Sequence, residues 1–392
     1  MSIPKTFNTM KLSERAKSIT ESKTIMLASI VDSLRRQGKD VVDFSKGEPD
    51  FFTPDEVKNA TKLALDNNMT GYSVVGGIDE LRQAIAEKLK LKNNVPVEAE
   101  NIAIANGAKQ ILYQVFQVLC EPGDEVLIPA PFWVTFPEQV KLAGAKPVFV
   151  ATIKDQLDLE KIKSCITKKT KAIIINSPNN PTGAVYEKKT LEAVAELACK
   201  NDFYIISDES YETIIYDAAE HTSIASLDSE VLKRTITIQT FSKTYSMPGF
   251  RIGYMAAEQK IIKYINRLQG HLCGNVCTFG QYGALAALKL NESILKERLL
   301  SFQRRRNLVC ELLHGYFDFV KPQGAFFIWP DVKNLLKDRW GSSMAMAQYI
   351  LEEAHVALVP GEAFGVPGNL RISFSVSEEN IKEGIKRICS LL

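Results

Sequence analysis

One lysine stands where covalent chemistry is conceivable. In the stretch from Thr240 to Gly253, Lys243 lies between the hydroxyls of Ser242 and Thr244, Arg251 follows, and the apolar run Thr235–Ile238 just upstream reads as a buried strand. A lysine held beside a second cation is a candidate for a lowered pKa and for Schiff-base nucleophilicity. The hydroxyls and Arg251 also suit a phosphate, whose oxygens match the guanidinium fork. The stretch reads equally as a solvated loop with two surface cations, so the rest of the chain must decide.

Other reactive groupings also follow apolar runs. Asn106-Gly107-Ala108-Lys109 lies between a strand and a helix pattern, where free backbone N–H groups make an anion site. Trp133 follows the next strand, either to stack on a flat ring or as a core aromatic. Asn176 to Gly183 places prolines and amide side chains after a wholly apolar strand, and Asn180 there offers both donor and acceptor. Asp208 ends another apolar strand, where a carboxylate is costly unless paired, and Tyr211 follows one helical turn on. An aspartate facing a ring nitrogen keeps it protonated, which turns pyridoxal phosphate into an electron sink. Arg371, flanked by apolar strand residues, either faces water by alternation or clamps a carboxylate. Gly47 sits in a Lys46-Gly47-Glu48-Pro49-Asp50 turn that brings bare backbone close to a ligand, and Tyr72 rides a glycine-rich loop, packing locally or reaching a neighbour.

These groups need a scaffold, and the hydrophobic patterning supplies one. From residue 101, strand candidates at Ile102–Ala105, Glu125–Ile128, Pro147–Val150, Ala172–Ile175, Phe203–Ser207 and Thr235–Ile238 alternate with helix patterns such as Lys109–Leu119 and Lys189–Lys200. Such alternation predicts an α/β fold with a mostly parallel sheet covered by helices, and ligands gather at the carboxyl ends of its strands. Upstream, a helix is expected over Glu14–Gly38, a short strand over Val41–Phe44, and a helix capped by Thr53 with Pro54 in its first turn. Downstream, a long charged helix over Asn291–Phe317 precedes short strands at Ala325–Trp329, Val356–Val359 and Leu370–Phe374, and a last helix begins at Glu378. The chain is expected to divide into an N-terminal segment, 1–45, a large domain, 46–285, and a smaller α+β domain, 286–392, which the N-terminal segment joins.

Composition narrows the function. A formal charge of +2 over 392 residues calls for neither nucleic acid nor an anionic membrane. The triple Arg304-Arg305-Arg306 reads as a solvated helix face. Seven cysteines without a paired framework suit a reducing compartment, and Cys273, Cys277 and His271 make a poor metal set, so no metal is expected. No apolar run approaches the ~20 residues that span a bilayer, and the expected location is cytoplasmic.

Taken in order, these motifs resemble the class I and II aminotransferases, the fold-type-I pyridoxal-phosphate enzymes, and among them the gamma subgroup of bacterial aspartate aminotransferases. The resemblance implies that Lys243 carries the cofactor and shuttles the substrate's α-proton, that Asp208 pairs with the ring nitrogen, that Asn180 and Tyr211 bond the ring oxygen, and that Trp133 stacks on the ring. It further implies phosphate contacts from Gly107, Ala108, Lys109, Thr240, Ser242 and Arg251, with Tyr72 reaching the phosphate of a second subunit in a homodimer. Arg371, with Asn180 and Gly47, would hold the α-carboxylate, and Thr24 and Lys109 the distal carboxylate of an acidic substrate. The implied activity is ping-pong amino transfer from L-aspartate to 2-oxoglutarate. Thr20 occupies the place where some members carry a lysine for prephenate, so that activity is not expected here. Transfer from aromatic amino acids or alanine is the alternative, a lyase or synthase on the same fold a further one. A non-catalytic sensor is disfavoured, since no DNA-binding segment fits before Glu14. The lowered pKa of Lys243 is expected to come from the cofactor and its surroundings.

Overall fold

A computed structural model describes residues 11–21 and 23–392. Strand β1 (Val42–Asp43) comes first, followed by β2 (Ile102–Ala105), β3 (Glu125–Ala130), β4 (Lys146–Ile153), β5 (Gln156–Leu157), β6 (Thr170–Asn176), β7 (Tyr204–Asp208), β8 (Thr235–Thr240) and β9 (Gly253–Ala256). All but β1 form one eight-stranded sheet in the order β2-β9-β8-β7-β6-β3-β4-β5. The run from β8 to β4 is parallel throughout. Residues alternate between two apolar layers: Val126, Ile128, Ile174 and Ile206 enter one, and Leu127, Ile173, Ile175 and Ile205 the other. Each layer is roofed by helices, so both sheet faces are dry and the strands read as continuous apolar runs. Every expected strand of this sheet is present: β2 has the expected bounds, β7 is shifted by one residue, and β3, β4, β6 and β8 are longer than expected. Two strands of the sheet were not expected: β5 pairs antiparallel with β4, and β9 runs antiparallel between β2 and β8, its first residue, Gly253, closing the motif that reads as a loop.

The chain's later strands are β10 (Phe327–Ile328), β11 (Val356–Ala357), β12 (Val359–Pro360) and β13 (Leu370–Ser373). The single strand expected over Val356–Val359 is in fact two, because β11 pairs with β1 in parallel while β12 turns to pair with β13. The β1–β11 ladder joins the start of the chain to its end. The helix expected over Glu14–Gly38 is also two pieces, Glu14–Lys17 and Lys23–Arg36. Thr53 does not cap the helix Asp55–Asp66, whose N-cap is Pro54 without a side-chain bond; its hydroxyl donates instead to the Ser246 carbonyl at 2.6 Å.

Periodicity misplaced the arginine triple. In the helix Glu292–Leu313, Arg306 is 1% exposed, its guanidinium 4.9 Å over the Tyr216 ring, donating to the Pro322 carbonyl at 2.9 Å and to Asp217 at 3.0 Å. Arg305 meets Asp50 at 2.6 Å; only Arg304 faces solvent, 3.7 Å from Glu378. Removing a buried partner from such a set costs about 3 kcal/mol, whereas an exposed pair contributes about 1 kcal/mol or less. Arg306→Ala should therefore lower the denaturant midpoint clearly, and Arg304→Ala should leave it almost unchanged.

Candidate active site

The carboxyl ends of β6, β7 and β8 open into a cavity of about 720 Å³, a volume suited to a cofactor-sized ligand. Asn180, Asp208, Tyr211, Thr240, Ser242, Lys243 and Arg251 line it, with Ala108, Lys109 and Trp133 from the strand ends beside them and Arg371 from β13. Gly47 arrives on the loop after β1. Parallel strands deliver their carboxyl ends to one edge, so residues far apart in sequence meet there.

Lys243 sits in a short helix capped by Thr240, and its amine donates to the Gly47 carbonyl. Burial pulls its pKa down to about 8; Glu48 opposes this, while Arg371 and Arg251 add to it. The protein alone therefore already depresses the lysine, before any contribution from a cofactor. With a pKa near 8, about one such lysine in ten is a neutral amine at pH 7, against fewer than one in a thousand for an ordinary lysine. Labelling of Lys243 by a small aldehyde, trapped by reduction and read by peptide mass spectrometry, should rise about tenfold per pH unit and level off above about pH 8.

Asp208 accepts from the Ser210 backbone N–H at 3.1 Å and from its hydroxyl at 2.6 Å. Burial pushes its pKa up to about 6 despite those bonds. Among the described residues it forms no ion pair, and Lys243 is the cation whose charge acts on it. Burial pushes the Tyr211 hydroxyl well up, opposed by the Arg371 charge and by the Asn180 amide that bonds it. Arg371 is buried rather than on a wet face. Its Nη1 donates to Asn180 Oδ1 at 3.0 Å and its Nη2 to the Ser45 carbonyl at 2.6 Å, between the rings of Phe327 and Phe364 at 4.5 and 5.1 Å. Its Nε, also buried, has no partner among the described residues. Burial draws even this guanidinium down to about 10.

Gly107 has φ +78°, and a Cβ there would lie 2.7 Å from an Arg251 nitrogen. The glycine thus lets the guanidinium approach the N-terminus of the helix Ala108–Leu119. The Thr240 hydroxyl lies 2.9 Å from Ser242 Oγ and 3.2 Å from the Ile252 carbonyl, so the two hydroxyls form one short hydrogen-bonded pair at the cavity. Lys109 holds its amine 5.0 Å over the Trp133 ring, and its pKa is lowered by burial and then by Arg251. Tyr72 does not line the cavity; it is fully exposed, packing on nothing among the described residues. The side chain of Thr24 lies outside the described residues.

Sequence reasoning did not find Glu48, nor Asp32 and Arg35, which the helix Lys23–Arg36 adds to the same cavity. The signal for these was present: Ile25, Ala28, Asp32 and Arg35 recur at helical spacing.

The donor set fits pyridoxal phosphate. A bare glycine, a helix N-terminus, a pair of hydroxyls and Arg251 suit a phosphate; a buried amine suits an aldehyde; an unmatched buried carboxylate suits a protonated ring nitrogen. Among the described residues no group of His, Cys, Asp and Glu is placed to hold a metal ion, and no helix is long and apolar enough to cross a membrane.

The family model for aminotransferase class I and II matches residues 39–388. A probable aspartate/prephenate aminotransferase of Aquifex aeolicus is 45% identical, over 96% of this chain and 97% of its own length. The aspartate aminotransferase of Bacillus subtilis is 40% identical, over 97% of this chain and 98% of its own. Among solved structures, the aspartate aminotransferase of Thermus thermophilus with maleate superposes with a TM-score of 0.93 at 37% identity, covering 98% of this chain and all of that one.

Proposed function

We propose, for a chain that belongs to the class I and II aminotransferases, that it transfers the amino group of L-aspartate to 2-oxoglutarate, giving oxaloacetate and L-glutamate. The observation that carries the substrate choice is a pair of cations in one cavity with Lys243: the buried Arg371 for one carboxylate and Lys109 for a second. The names of the relatives support the same reading.

The family implies pyridoxal phosphate, which when bound supplies an aldehyde for amine exchange and a protonated ring that accepts the electron pair of the cleaved Cα–H bond. In our reading Gly107, Ala108, Thr240, Ser242 and Arg251 hold its phosphate, and Lys109 reaches that end of the site. Asp208 keeps the ring nitrogen protonated, Asn180 and Tyr211 bond the ring oxygen, and Trp133 covers one face. Arg371 binds the α-carboxylate with its forked donors and so orients the Cα–H bond. Lys243 is first the amine that the substrate displaces. Once free and neutral, it takes the α-proton and later returns it. The closing half-reaction repeats these moves in reverse with a second oxo acid.

Holoenzyme mixed with aspartate alone should form one oxaloacetate per site and lose the visible absorbance of its bound cofactor, and added 2-oxoglutarate should restore it with glutamate formed. No oxaloacetate would overturn the reading. The name of the Aquifex relative supports prephenate as a second acceptor, and a panel of oxo acids against one donor decides it.

We further read the enzyme as a cytoplasmic homodimer in which Tyr72 completes the phosphate site of the second subunit. The exposed Tyr72, Val74, Phe52 and Leu63 support such a surface, and all seven cysteines are free. Residues 46–285 are taken as the cofactor unit, and 1–45 with 286–392 as the smaller one.

A further inference from the structure

Behind Asp208, on the side away from the cavity, lies a buried polar cluster that the reaction does not use. Glu209 follows Asp208 directly, is 1% exposed and does not line the cavity. Its Oε1 accepts from Ser207 Oγ at 2.9 Å and Ser223 Oγ at 2.8 Å. Its Oε2 accepts from Gln239 Nε2 at 3.0 Å and faces His221 Nε2 at 3.3 Å. Gln239 directly precedes Thr240, and its Oε1 accepts from Lys88 Nζ at 2.6 Å and from the Tyr254 hydroxyl. Lys88 also pairs with Glu212, which accepts from Asn93 as well. Two residues that face the cofactor site, Asp208 and Thr240, thus have their chain neighbours bonded to each other across the ends of β7 and β8.

Stability alone gives this cluster no purpose. A buried ion pair is often no better than apolar residues of the same volume, and leucines would pack against these layers. What the cluster does supply is position and charge beside Asp208.

We propose that Glu209 and His221 form a positioning dyad for the cofactor site: through Gln239 the dyad fixes Asp208 relative to Thr240, and its charge balance sets how readily Asp208 stays ionised beneath the cofactor's ring nitrogen. The proposal rests on the reading of Asp208 given above. His221 meets Glu209 from the end of β7, Glu212 from the turn that follows, and Lys88 from the helix Asp79–Asn93. Burial works against its imidazolium, yet Glu209 and Glu212 together outweigh burial and raise its pKa. Burial likewise works against the Glu209 carboxylate, and His221, Ser223 and Gln239 outweigh it. Asp208 meets Ser210, Glu209 and Lys243; after burial, Glu209 is the charge that makes it harder to ionise.

The two members of the dyad therefore act on Asp208 with opposite sign. Removing the Glu209 charge eases the ionisation of Asp208, and removing the His221 charge leaves Glu209 uncompensated and hinders it. The measurement is the affinity of the apoprotein for pyridoxal phosphate as a function of pH, read by quenching of tryptophan fluorescence. Glu209→Gln should move the acid limb of that profile to lower pH and His221→Gln to higher pH, each by roughly half a unit, or about threefold in Kd on the limb. Gln239→Leu, which cuts the bridge without touching the dyad's charges, should weaken binding about tenfold at pH 8. Shifts of the same sign, or unmoved limbs with a lowered apoprotein Tm, would show a structural role only and overturn the charge half; a Kd for Gln239→Leu within twofold of the parent overturns the positioning half. Asp208→Asn separates the layers of the argument. If that variant keeps the acid limb, the assignment of Asp208 falls and the dyad with it; if it loses the limb while the dyad variants do not move it, the dyad alone falls. Should Glu209→Gln fail to fold, His221→Gln and Gln239→Leu still decide both halves.

Discussion

Lys243→Ala should abolish amino transfer, with turnover reduced by at least about four orders of magnitude, while the chain stays folded and still binds cofactor through its phosphate contacts. Lys46 and Lys109 also line the cavity, so the loss tests whether the buried lysine has a role the others cannot fill. The expectation rests on two jobs for one amine: a positioned acid–base group contributes about 10²- to 10⁴-fold, and loss of the covalent partner adds to it. The holoenzyme's visible absorbance should disappear along with turnover. Retained turnover above the stated residue would overturn the assignment of the nucleophile.

The same variant makes a stability prediction whose sign can be worked through. The folded pKa of Lys243, about 8, lies below its ordinary 10.5, so between those values the unfolded chain binds more protons. Stability of the apoprotein should therefore rise with pH from about 8 to 10.5 through this group. Below pH 8 the buried ammonium is a liability of about 3 kcal/mol at most. Lys243→Ala should lack that rise, and its denaturant midpoint relative to the parent should be higher at pH 7 than at pH 10.5. A pH-independent difference would show that the lysine is not held in a desolvated site.

How much of this was legible in the sequence depends on whether a residue announces itself by its immediate neighbours. Lys243, Asp208 and Asn180 each end or follow an apolar strand, and a polar residue there has few reasons to be present except a ligand. Their convergence followed from topology, since parallel strands present one edge. Arg371 was ambiguous because alternation on a short strand says nothing about which face is wet, and only the ladder to β12 and the rings of Phe327 and Phe364 decide it. Arg305 and Arg306 misled for a related reason. A charge run in a helix looks solvated until its partners, Asp50 and Asp217, arrive from remote loops. β9 hid because its first residue, Gly253, closes a motif that reads as a loop, which leaves only three strand residues beyond it. Glu209 was passed over although it sits beside Asp208; strand alternation places it on the opposite face, where a carboxylate among apolar layers is itself a signal.

Arg371→Ala should raise KM steeply for every amino acid and lower kcat/KM by roughly 10²- to 10³-fold, the range expected when one partner of a buried, charge-assisted pair is removed. The structure explains why the loss should be general rather than confined to acidic substrates. Asn180 Oδ1 and the Ser45 carbonyl take one hydrogen bond each from the guanidinium, and the aromatic rings fix its plane, so its remaining donors point in a set direction before substrate arrives. A group so fixed suits the carboxylate common to all amino acids, whereas Lys109, held only over the Trp133 ring and on a flexible stem, suits the end that varies. Arg371→Lys should recover little, because an ammonium cannot span Asn180, Ser45 and a carboxylate with one fork. Lys109→Ala makes the complementary case: it should raise KM for aspartate and 2-oxoglutarate while leaving alanine nearly unaffected. If Arg371→Ala instead harmed only dicarboxylic substrates, the two cations would have to exchange roles, and the buried arginine would be the group that reads the substrate's side chain.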